Sequence, residues 1–360
     1  MASAGVVAVV LAGSLCLGGC SNMGYYWQSV SGHLKLMDAA EPVKDLLHDD
    51  KLSGRLRTRL ELSQQIRDYA SSELKLPDNP SYRRYADLHR SAAVWNVTAA
   101  PAYSLEMKTW CFPVTGCVGY RGYYDEGAAR KEAAGLAGEG YEVNVYPVTA
   151  YSTLGWMNWA GGDPLLNTFL GYPEGELARV VFHELAHQVV YAKNDTTFNE
   201  SFAVSVERIG GNLWLQAHAT QAARDEYAAF DARRRQFRDL SRTTRERLKA
   251  VYDTPGQSTE QKEAGKQRVM AQFRAEYEQL RATWPGDPAR FRGYDRWVRE
   301  ANNAFFGSQA AYDDLVPGFE ALFERSGRDW SRFYEAAKEL AKLPKEERHE
   351  RLKAMAPASA

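Results

Sequence analysis

Val181-Phe182-His183-Glu184-Leu185-Ala186-His187-Gln188 is the stretch on which the reading of this chain turns. On a helix, His183 and His187 stand one turn apart on one face. Two imidazole nitrogens placed in this way can hold a Zn²⁺ at ~2.0–2.1 Å each. Leu177, Val181, Leu185 and Val189 recur at every fourth position and predict a buried stripe on the same helix. Pro173 suits its first position, and Glu174 and Glu176 suit the positive end of its dipole. Glu184 follows the first candidate ligand directly. Its carboxylate can sit beside an ion without binding it, where a general base would take a proton from the attacking water. Asn199-Glu200-Ser201-Phe202-Ala203 begins twelve residues after His187, and Glu200, on a second helix folded back across a short loop, is the natural third ligand.

This pattern resembles that of the gluzincins, zinc peptidases of the thermolysin and aminopeptidase-N type, in which such a glutamate is the third ligand. His183, Glu184, His187 and Glu200 match it residue by residue, with a shorter spacer between His187 and Glu200. The shorter spacer is similar to that of a bacterial family of lipoprotein aminopeptidases. So are Trp110-Cys111-Phe112-Pro113, Gly116-Cys117, Tyr120-Arg121-Gly122-Tyr123, Tyr151-Ser152-Thr153-Leu154-Gly155-Trp156 and Asp163-Pro164-Leu165-Leu166. The resemblance runs from about Cys20 to Tyr334. It implies an α+β, mainly helical, zincin-like metallopeptidase with a small sheet before the metal-binding helix. It also implies zinc as cofactor and a peptide or protein as substrate. Ser152, Thr153, Leu154 and Gly155 become a candidate substrate shelf, an edge strand that would pair with the substrate backbone. A tyrosine or histidine on a downstream helix would steady the oxyanion, with Tyr312 as one candidate and a core tyrosine as the alternative. Asp195, Asn199 and Glu207 are candidates to orient the ligands. Glu207 lies seven residues, two turns, beyond Glu200 and so on the same side, where a plain surface glutamate is equally compatible.

Outward from this centre, composition sets bounds. The 360 residues can form two or three packed units, and 44% hydrophobic and 12% aromatic residues are globular values. A net charge of −1, from 45 basic and 46 acidic side chains, gives no reason to expect a nucleic-acid partner. Residues 5–15 are apolar or small, too short a run to span a bilayer, and read with their flanks as a leader over 1–19. Leu17-Gly18-Gly19-Cys20 resembles a bacterial lipobox, although no Lys or Arg precedes the apolar run. Its lipidation at Cys20 would anchor the chain in the periplasmic face of a membrane. Ser21 and Asn22 in place of aspartate imply the outer membrane. Cys111 and Cys117 have five residues between them, with Pro113 and Gly116 to turn the chain. In an oxidising compartment they are expected to form a disulfide. A cysteine metal site would need further ligands, and there is no histidine between residues 90 and 182.

In chain order, 20–33 reads as a lipid tether and 34–74 as helical. Short strands follow over 92–120, a helix over 126–137 and a strand over 141–146, with 151–156 as an extension of the sheet's edge. The catalytic region is expected to span 34–220. A charged helical hairpin follows over 221–283, turning at Asp253-Thr254-Pro255-Gly256, then an aromatic-rich helical unit over 284–344 and a flexible tail over 345–360. Three functions compete. One is a zinc aminopeptidase in which Glu184 activates the water. Another is a zinc endopeptidase in envelope quality control. The third is a non-catalytic lipoprotein braced by zinc, which would not need Glu184.

Overall fold

The computed structural model describes residues 24–357 apart from 113–115 and 151, with the backbone alone at 311–313. The expected leader, Cys20 and the Tyr312 side chain lie outside the described residues. Of the segment read as a lipid tether, 24–33 belongs to a helix over 24–38. The helical reading of 34–74 holds for α1 (Gly54–Ser72), which Ser53 caps by accepting from the Leu56 N–H. Ahead of α1, Pro42 interrupts the pattern, since it offers no N–H and disfavours helix in the residue before it. Strand β1 (Glu41–Pro42) and a short helix (Val43–His48) stand there instead.

Three small sheets precede and flank the metal-site helices. β2 (Arg84–Ala86) pairs antiparallel with β1 and parallel with β8 (Leu165–Leu166). β3 (Val94–Pro101) lies between β6 (Arg121–Tyr123) and β7 (Tyr141–Val148), antiparallel to both, with Val94 opposite Val148 and Pro101 opposite Tyr141. Val97 and Ala99 on one face of β3 pack with Leu136 of α2 (Glu126–Gly138), which leaves Asn96 and Thr98 facing the other way. β4 (Trp110–Phe112) and β5 (Gly116–Val118) form a hairpin in which Cys111 stands opposite Cys117, and the two are joined by a disulfide.

The expected edge strand over 151–156 is a turn where it is described. Leu154 and Gly155 have φ of 55° and 79°, which reverses the chain. Asp163 accepts the Thr153 N–H at 3.0 Å with both carboxylate oxygens, so that donor is not free for a ladder. The outer edge of β6 is covered as well. Gln28 of the first helix donates to the Gly122 carbonyl at 3.3 Å and accepts from the Tyr124 N–H at 3.1 Å.

α3 (Glu174–Ala186) and α4 (Thr196–His218) form the centre of the largest core. Leu177, Val181 and Leu185 are fully buried, as their spacing predicts. Two glycines let the helices close. A Cβ on Gly210 would meet Phe182 at 3.2 Å, and one on Gly211 would meet the Arg179 side chain at 2.9 Å. Behind α4, the Phe202 ring lies 5.6 Å from Phe319 on α9 (Val316–Arg325) and 5.7 Å from Phe333 on α10 (Trp330–Lys342). The charged hairpin stands as α5 (Gln221–Asp253) and α6 (Thr259–Ala282). Its inner seam, Phe237, Phe273 and Tyr277, joins Val298 of α7 (Arg292–Glu300) and Phe306 of α8 (Asn303–Asp313) in a second core.

The tail expected to be flexible forms α11 (Lys345–Met355). Arg348 and His349 reach back to Asp195 at 3.3 and 2.9 Å, fixing α11 to the start of α4. Among the described residues no helix is long and apolar enough to cross a membrane.

Phe202→Ala would leave a cavity among three helices. The variant is expected to lose about 3–5 kcal/mol in urea unfolding, with the fold retained.

Candidate metal centre

His183 and His187 project from the last turn of α3, and Glu200 from the first turns of α4. Asn199 sets the distance between them. Its amide accepts from the Ala192 N–H at 2.7 Å and donates to the Ala192 carbonyl at 2.9 Å, which closes the loop joining the helices. The ligand atoms form a triangle. His183 Nε2 and His187 Nε2 are 3.1 Å apart, and Glu200 Oε2 lies 3.4 Å from the first and 3.7 Å from the second. Bonds of ~2.0–2.2 Å put neighbouring corners of a zinc tetrahedron ~3.3–3.6 Å apart. The donor set therefore fits an ion of that size.

Electrostatics favour a cation at this point. Burial works against the charged form of His183, yet hydrogen bonds to the Glu200 and Glu207 carboxylates override it and hold the imidazole well above its usual range. Burial pushes His187 down to about 4, which keeps it neutral and able to offer a lone pair. Burial would raise Glu207, but Arg179 first and His183 next hold it at about 2. Burial lifts the Glu184 carboxyl to about 7; His183 opposes the rise, while Glu200 and Asp163 add to it. The carboxylates thus draw positive charge into the space between them, as a protonated His183 or as an ion.

Glu207 holds His183 in place. Its Oε2 lies 3.0 Å from His183 Nδ1, which turns Nε2 towards the triangle, and its other oxygen is gripped by Arg179. Arg179 sits one turn before His183 on α3 and also approaches Glu176 at 3.6 Å. Of the three residues expected to orient ligands, Glu207 alone touches one. Asp195 instead caps α4, accepting from the Phe198 N–H at 3.1 Å, and Asn199 braces the loop.

The triangle opens into a cleft of about 570 Å³. Its walls are the face of the β6-β3-β7 sheet at Asn96, the first helix at Tyr25 and Tyr26, and the turn at Ser152 and Leu154. Ser152 and Leu154 of the expected shelf therefore border the site, but from a turn and not from a strand. Tyr120 and Tyr191 also line the cleft, beside Glu184 and Glu200. Burial first, then Glu200 among its neighbours, holds the Tyr120 phenol well above its usual range, so it stays protonated and can donate. Tyr120 comes directly after the disulfide hairpin. That hairpin is fastened to the loop beyond α3, where the Asn194 side chain accepts from the Cys117 N–H at 2.8 Å. The sequence reading passed over Tyr120, although it lies in a quoted motif, because nothing in the spacing brings residue 120 beside residue 200.

Glu200→Ala should remove the bound metal, and Glu207→Ala should weaken its affinity by about 10–100-fold while leaving all three ligands. Elemental analysis of the purified variants with a competing chelator measures both.

A protein-family model described as "Putative aminopeptidase" matches residues 24–352. No curated protein and no solved structure matches the chain significantly.

Proposed function

The chain belongs to the putative aminopeptidase family, and from that membership we propose that it is a zinc-dependent peptidase. The observation that carries the zinc part is the triangle of His183, His187 and Glu200 with Glu184 beside it on the cleft wall. These three residues would hold the ion. When bound, it would supply Lewis acidity to the scissile carbonyl and to the attacking water. Glu184 takes a proton from that water and delivers it to the leaving amine. Tyr120 donates a hydrogen bond to the developing oxyanion. Glu207, held by Arg179, keeps His183 in one tautomer and one orientation. The gluzincin likeness of the motif supports this assignment of roles.

The first form of the reading is an aminopeptidase, as the family's description has it. A second form, cleavage at internal bonds, is favoured by one feature of the cleft. Among the described side chains lining it, Glu184 and Glu200 are the carboxylates, so an amino-terminal ammonium has no separate anionic partner. In both forms Leu17-Gly18-Gly19-Cys20 supports lipidation at Cys20 and a periplasmic site at the outer membrane. The third possibility, a zinc brace without activity, is disfavoured by a half-buried Glu184 that no ligand set requires.

Glu184→Gln keeps shape and ligands but removes the base. Hydrolysis should fall by about 10²–10⁴-fold with metal content and melting temperature unchanged. Equal rates for parent and variant on every peptide would establish the brace.

Tyr120→Phe is expected to lower kcat by about 10²–10³-fold with little change in KM. A free peptide and its N-acetylated twin, followed by mass spectrometry, separate the two forms: an aminopeptidase cuts the free one alone, an endopeptidase both.

A further inference from the structure

The outer face of the first helix and the turn on the other side of the cleft carry an exposed apolar surface. Trp27, Val30 and Leu34 are 73%, 55% and 59% exposed, and Trp156 and Trp159 are 65% and 83% exposed. Tryptophans left this open on a soluble face are costly unless something covers them. Spacings of three and four put Trp27, Val30 and Leu34 on one side of the 24–38 helix. The opposite side is the packed one. Tyr25 lies 5.7 Å from Phe112 and takes the Arg121 guanidinium over its ring at 3.9 Å, Gln28 covers β6, and Leu36 is 2% exposed.

The two exposed segments border the same cleft, one through Tyr26 and Ser29 and the other through Ser152 and Leu154. They also meet at Arg84, which donates to the Met37 carbonyl at 3.3 Å and lies against Gly161. None of the five exposed residues is charged, and the nearest ionised side chains, Lys35, Asp38 and Arg84, stand at their margins. A quarter of the chain is charged, yet no Lys, Arg, Asp or Glu occurs over 24–34 or over 143–162. Pressing these five side chains against an apolar phase desolvates no charge of their own.

We propose that this surface docks on a lipid bilayer and seats the mouth of the cleft at the headgroup level. Tryptophan favours that interface, and a helix with one uncharged apolar face lies in its plane with that face ~5–10 Å deep. The choice of a bilayer as occupant rests on the lipobox reading. Cys20 is four residues ahead of the helix, so a lipid there would hold the helix start within about 14 Å of the headgroups. The substrates this surface favours are peptide segments lying at the membrane surface.

The test uses a chain beginning at Ser21, which lacks the lipid and keeps every residue of the described fold. Its probe is phosphatidylcholine vesicles with and without brominated acyl chains. The parent should float with the vesicles, with its tryptophan emission blue-shifted and quenched by bromine. Trp27→Ser/Trp156→Ser/Trp159→Ser should bind at least tenfold more weakly, with zinc content, circular dichroism and hydrolysis of a soluble peptide unchanged. A parent that stays in the aqueous fraction, or a triple variant that floats equally well, overturns the proposal. A parent that is dimeric while the triple variant is monomeric, with no flotation of either, assigns the face to a second copy and also overturns it. The soluble-peptide rate reads the peptidase proposal separately, and the absence of Cys20 removes lipidation from the outcome.

Discussion

The contact between Glu207 and His183 is the constraint on which the centre depends. It crosses the α3–α4 interface at 3.0 Å and turns one imidazole towards Glu200. Arg179 grips the other oxygen of Glu207, and it passes close over Gly211, where a Cβ would stand 2.9 Å from its side chain. A small residue on one helix, a buried cation on the other and a carboxylate between them therefore set the tautomer of a ligand. Replacing any of the three acts on the ligand triangle without touching it.

Around that contact the molecule works to keep loops still. Asn199 clamps Ala192, Asn194 fastens the disulfide hairpin, Asp163 holds the turn at Thr153, and Gln188 accepts from Asn79 at 2.7 Å. Three of these bonds involve α4 or the segment between α3 and α4, and the fourth ties the turn to the residue that leads into β8. Polar side chains satisfying loop backbone allow such a site to be both open to substrate and rigid. Asp195 does the same at longer range, since α11 is anchored at the cap of α4 through Arg348 and His349.

How much of this could be read ahead followed from the range of each interaction. The stripe of Leu177, Val181 and Leu185 and the pairing of His183 with His187 are set by the pitch of one helix and stand as read, whereas Val189, the stripe's fourth member, lies beyond the end of α3 and is half-buried. The hairpin of α5 and α6 was legible from its apolar seams and from Gly256 at the turn, and the Cys111–Cys117 pair from its short loop. Where period-2 alternation ran into a turn, at 151–156, the reading failed, because two positive φ values and the grip of Asp163 outweigh strand propensity. At 24–33 and 345–355, read as parts of a tether and a tail, the chain is helical, and Gln28 and Arg348 supply partners that no local pattern shows.

By itself the sequence determined the candidate ligands, the neighbouring carboxylate and the helices that carry them, since i, i+4 geometry is local. The tertiary structure alone decided what surrounds them. Glu207 became the partner of His183 while Asp195 and Asn199 went to structural bonds. Tyr120 came to face Glu200 across eighty positions of chain, and the first helix closed one side of the cleft. None of these is encoded in spacing. They depend on which surfaces bury together, and burial is a property of the packed chain and not of any segment within it.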